Sequence, residues 1–178
     1  MSDYVFITLL ALHVGGVITW MGSSAMYTMV IGPSIAKSDM MESNPEFAIS
    51  ILSRLSRFIT ATSITTLLAG FFLFDYISTV ATYILPPGSS ILFIYAGAIL
   101  GFAAFVVTLA AVIPSTSRII KILRAEQSNA GSTSGPVALA NARRFEIAHS
   151  LRAIRSGLSA AAFILLVIFI LMVLGTNL

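Results

Sequence analysis

Residues 4–36 read YVFITLLALHVGGVITWMGSSAMYTMVIGPSIA, with no Lys, Arg, Asp or Glu among them. Crossing the hydrocarbon of a bilayer takes about 20 mostly apolar residues in a helix. This stretch is long enough, and positions 4–33 read as a first span. Three further apolar runs qualify, at about 58–84, 90–113 and 156–176. The runs are continuously apolar rather than alternating, so they predict helices and not barrel strands. The fold expected is all-α: an integral membrane four-helix bundle in one transmembrane domain, residues 1–178.

The composition agrees. Of the 178 residues, 57% are hydrophobic and only 10% charged, and the mean hydropathy is +0.97. A soluble domain carries about 25% charged residues. The acidic start MSDY lacks the basic region of a cleavable signal peptide. There is no cysteine, which excludes disulfides, thiolate metal sites and iron–sulfur clusters. No nucleophile–base pair or phosphate loop points to catalysis, and nothing points to nucleic acid.

The ten basic side chains fall in two segments. Lys37, Arg54 and Arg57 lie between spans one and two. Arg118, Lys121, Arg124, Arg143, Arg144, Arg152 and Arg155 lie between spans three and four. Loops rich in Lys and Arg stay in the cytoplasm. The expected topology in the cell (inner or plasma) membrane has loops 34–57 and 114–155 cytoplasmic and both termini outside. In SNPEF, Asn44 suits a helix cap, Pro45 the first helical position and Glu46 the positive helix end. Phe47, Ile51, Leu55 and Phe58 follow at spacings of three and four. This predicts an amphipathic lead-in helix that lies along the membrane and runs into span two. QSNAGSTSGP (127–136) reads as a flexible linker. The helix after it (137–156) brings Arg143, Arg144, Arg152 and Arg155 to anionic lipid headgroups, with His149 solvated or interfacial.

Lipid gives helices no hydrophobic reason to associate, so small residues that permit close contact matter. Thr62, Thr66 and Gly70 share one face of span two, and Gly97 and Gly101 form a GxxxG in span three. Pro114 is expected to end span three. The bundle is expected to pack against other membrane subunits or further copies of itself.

His13 is the ionisable group inside span one. At about 100° per residue, Gly16, Trp20, Ser24 and Tyr27 fall within roughly 60° of it. A histidine at this depth faces the bundle interior and finds a partner. Two readings stand: a metal or haem ligand or proton relay, or a hydrogen bond between helices. Asp75, towards the outer end of span two, has two readings: residue counting lets it reach the depth of His13, pair with it and fix its tautomer, or it sits in the headgroup region, wet and unpaired. Met26 and Met29 lie on the face opposite His13, so only Met21 among the span-one methionines is near its side. His149 lies most of a bilayer away, which disfavours a bis-histidine haem within one chain.

HVGGVITWMGSSAMYTMVIGP (13–33) resembles the first helix of the CopD copper-resistance family: a His, an aromatic-Gly pair about seven residues on, and a Pro that ends the helix. Here these are His13, Trp20, Gly22 and Pro33. SRLSRFITATSITTLLAGFFLF (53–74) is similar to that family's second segment, with Gly70 in AG where TG is usual. The resemblance covers about the first 75 residues. It implies copper binding or transport, with His13 as metal ligand supported by Asp75, Trp20 and Tyr27. Span one also resembles, less closely, the first helix of the HemJ family of protoporphyrinogen oxidases, which implies haem b. That family's Tyr-Leu-Pro-Arg run is absent, and no lysine stands in 90–117.

Overall fold

The computed structural model describes residues 3–37, 44–84, 89–129 and 137–175, all in helices apart from Asn44. Helix α1 (Asp3–Met26) passes through a π-helical turn at Tyr27–Ile31 into α2 (Gly32–Lys37). Then come α3 (Pro45–Ile84), α4 (Ser89–Asn129) and α5 (Val137–Gly175). Four of these stretches are long and apolar enough to cross a membrane, and they pack as a bundle. The chain is thus a four-span membrane protein.

One buried stripe per helix builds the core. On α5 it is Leu151, Ile154, Leu158, Ala161, Leu165 and Ile168. The spacings alternate three and four, the pattern that keeps a seam facing its neighbours in a left-handed bundle. Facing it on α4 are Ala104, Thr108, Val112, Thr116, Ile119 and Leu123. Ala48, Leu52, Ile59, Ser63, Thr66, Ala69 and Leu73 line α3. The faces towards lipid carry Phe71, Phe72, Phe102, Phe163 and Phe169.

Helices α3, α4 and α5 run 40, 41 and 39 residues, or about 60 Å each at 1.5 Å per residue. Hydrocarbon is only about 30 Å thick. Two levels across the bundle match that thickness. At one, the Phe6 and Tyr76 rings lie 5.4 Å apart and Phe74 and Tyr95 5.1 Å apart, beside the exposed Asp75. At the other, Tyr27, Ser56, Thr116 and Ile154 meet around one cavity, next in sequence to Arg57 and Arg155. Roughly 20 residues, about 30 Å, separate the two levels along each of α1, α3 and α4. Beyond the second level α3, α4 and α5 continue together, sharing a core of Ala48, Leu52, Ile119, Leu123 and Leu151. The exposed basic residues Lys121, Arg124, Arg144 and Arg152 belong to this continuation, as does the part-buried Arg143. Arg118 there lies 3.7 Å from Glu146, an exposed pair worth about 0–1 kcal/mol.

Four expectations change. The lead-in begins as expected, with Asn44 Oδ1 accepting the Phe47 N–H at 3.1 Å. It runs into span two as expected, as one uninterrupted helix, but Ala48 and Leu52 bury it in the bundle instead of leaving it along the membrane. Pro114 does not end its helix, which runs on to Asn129. Proline costs the bond to the carbonyl four residues back, but Pro114 is exposed and Thr116, Ile119 and Leu123 pack the turns that follow. Pro33 does not end span one either, because the π-turn before it absorbs the misfit. The linker begins later than 127, since residues 127–129 are helical; residues 130–136 lie outside the described residues.

Single cysteines test this placement. Ala125→Cys and Ala148→Cys should react with a water-soluble maleimide from one and the same side of a sealed membrane. Ile99→Cys and Leu166→Cys, equally uncovered by protein, should react only after detergent is added. Labelling of the second pair in intact membranes would refute the placement.

Candidate functional site: the polar stripe of span one

The face of α1 read from the sequence is the face that meets the bundle. His13 is part-buried, and its Nδ1 lies 3.0 Å from the backbone carbonyl oxygen of Thr66 on α3. A carbonyl only accepts, so Nδ1 carries the hydrogen and donates. In the neutral ring the lone pair is then on Nε2. The Thr66 hydroxyl is used within its own helix, donating to the Thr62 carbonyl at 2.7 Å.

Two glycines make this contact possible. A Cβ on Gly70 would stand 2.7 Å from both Cε1 and Nδ1 of His13, closer than carbon atoms pack. A Cβ on Gly16 would overlap the Thr66 hydroxyl and come within 3.2 Å of its Cβ. Small residue faces large in both directions, so the helices approach until the imidazole reaches the backbone. A third close approach, between α4 and α5, has Gly157 against the Ala111 methyl. It was missed in the sequence, though the small residues of SGLSAAA (156–162) could have signalled it. Gly97 is buried as the GxxxG suggests, but a Cβ on Gly101 would meet nothing. That half of the motif is not a close contact.

Further along the stripe Trp20, Ser24 and Tyr27 are almost fully buried, at 1%, 1% and 2% exposure. Trp20 Nε1, Ser24 Oγ and Tyr27 Oη have no hydrogen-bond partner among the described residues. At Tyr27 the helix widens. The Gly32 N–H donates to the Tyr27 carbonyl five residues back. Pro33 has no N–H and its ring crowds the carbonyl four residues earlier, and a wider turn relieves this. The extra residue lets both Tyr27 and Thr28 be buried before the stripe resumes at Ile31 and Ile35. Beside Tyr27, a cavity offers ≈ 10 Å³ to the centre of a water-sized sphere. Ser56 and Thr116 line it with the apolar Leu52, Leu55, Ile59, Val112 and Ile154.

Asp75 does not join His13. The pairs Gly16–Thr66 and Phe6–Tyr76 fix an antiparallel register that puts Asp75 opposite Ile7. That is six residues, about 9 Å, nearer the helix end than His13. Counting from uncertain span ends could not resolve this offset. Asp75 is exposed, and its backbone carbonyl accepts from the Ser78 and Thr79 hydroxyls at 3.0 and 2.8 Å. Met26 and Met29 are exposed on the far side of α1, while Met21 packs against the core. His149 is exposed at the basic end. Among the described residues, no group of three or more His, Cys, Asp or Glu could hold a metal.

The chain matches no protein-family model, no curated protein and no solved structure.

The glycines make a controlled test. Gly70→Ala and Gly16→Val should each destabilise the protein by about 1–3 kcal/mol, the usual range for overpacking. Gly101→Ala should be neutral or slightly stabilising, because alanine is the better helix former by up to about 1 kcal/mol. Thermal unfolding in detergent would rank them; equal effects at Gly70 and Gly101 would refute the close approach.

Proposed function

We propose that the chain is a non-catalytic subunit of a larger membrane assembly, with His13 fastening span one to span two. The observation that carries this reading is the His13 Nδ1–H bond to the Thr66 carbonyl. It gives the buried ring the partner a membrane histidine needs without invoking a ligand. The uncovered face of span one supports the subunit role: no residue from Tyr4 to Thr19 is buried. A partner span laid along the exposed Gly15, Thr19 and Gly22 would complete the packing.

The second reading is copper handling, as the likeness of residues 13–33 to the CopD family implies. One observation favours it. With Nδ1 spent on a carbonyl, Nε2 points its lone pair away from that bond, the arrangement in which metal-bound histidines are oriented. The remaining ligands would then come from a second chain, and the same holds for haem b.

Metal analysis of gently purified protein, wild type beside His13→Ala, separates the two. The fastener reading expects neither copper nor iron in stoichiometric amount, and a lower melting temperature in the variant. Copper or iron present in the wild type and lost in His13→Ala would overturn it and make His13 a ligand.

A further inference from the structure

Three buried polar atoms without partners among the described residues, on one stripe of eight residues, need an explanation. Each such atom destabilises the fold if left dry. Native structures contain only a few, and an ordered water is a common resolution. Tyr27 lines the small cavity described above. That cavity also touches the hydroxyl-bearing Ser56 of α3 and Thr116 of α4. A buried water needs about 10–15 Å³ by this measure and two to four polar partners. The space is ≈ 10 Å³, and three hydroxyl residues from three helices surround it. It is too small for any organic ligand or hydrated ion.

We infer that this cavity is a binding site for one water molecule, which links the Tyr27 hydroxyl to the Ser56 and Thr116 side chains. The ring is held for this task by the π-turn. Gly32 comes up against it so closely that a Cβ there would stand 3.5 Å from the Tyr27 Cε1. The water ties span one to spans two and three at the level where the bundle leaves the hydrocarbon. Trp20 and Ser24 lie farther into the bundle and do not border this cavity. The site is independent of whether His13 binds metal.

The test is a double-mutant cycle on the full chain, with unfolding followed in mixed micelles. Tyr27→Phe removes the hydroxyl and keeps the ring. Thr116→Val keeps the shape of its side chain. With a bridging water, Tyr27→Phe should shift the unfolding equilibrium towards the unfolded state by about tenfold, as loss of a buried hydrogen bond does. The two substitutions together should cost less than their sum, because the bridge can be broken only once. A map sharp enough to show ordered water should have a peak within hydrogen-bond reach of Tyr27 Oη. If Tyr27→Phe is neutral or stabilising, or if the two effects simply add, the hydroxyl is buried dry and the proposal is wrong.

Discussion

The bundle depends on how closely its helices can approach. In water, apolar faces are driven together; in lipid they are not, and association rests on contact and on bonds between helices. Close contact is what Gly16, Gly70 and Gly157 provide. At the first two, the missing side chains bring α1 and α3 near enough for the His13 ring to reach a backbone carbonyl. That carbonyl already belongs to a helix, so the bond uses its second lone pair and costs no helical hydrogen bond. Contact and hydrogen bond therefore reinforce each other: without the glycines the imidazole could not reach, and without the imidazole the gap over Gly70 would be empty.

Towards the basic end a second force becomes available. Past Arg57 and Arg155 the exposed positions turn basic, and the helices share a core of Ala48, Leu52, Ile119, Leu123 and Leu151 of the kind that the ordinary hydrophobic effect holds together in water. The same three-and-four spacing serves both environments, so α5 passes between them without a break. This is why two prolines fail to stop their helices. Proline removes one hydrogen bond: at Pro114 the packed turns that follow outweigh it, and at Pro33 the wider turn before it relieves the misfit while Ile35 packs beyond.

Much of this was legible in the sequence. Absence of charge marked the spans, because charge in hydrocarbon is costly. The His13–Gly16–Trp20–Ser24–Tyr27 face followed from the helical repeat, and Thr66 and Gly70 from the rule of small residues. What could not be read were relations between helices. The partner of His13 is a main-chain carbonyl, which no residue type announces. The register that separates His13 from Asp75 is a matter of six residues, within the error of any span boundary. The π-turn changes the phase of the stripe midway, so a wheel drawn from His13 describes α1 well and loses α2.

The polar side chains of span one are therefore of two kinds. His13 has its bond, supplied by the backbone of a neighbour, and its remaining lone pair is the atom on which any ligand chemistry would turn. Trp20, Ser24 and Tyr27 have burial without a bond, and buried hydroxyls in a bundle that leucine could have filled are expensive to keep. Their cost falls towards the basic end of the bundle, at the level of Arg57 and Arg155. A stripe whose polar group bonds to a neighbouring backbone at the His13 end and whose polar atoms are buried without a described protein partner at the Tyr27 end gives span one a direction that its apolar composition alone does not possess.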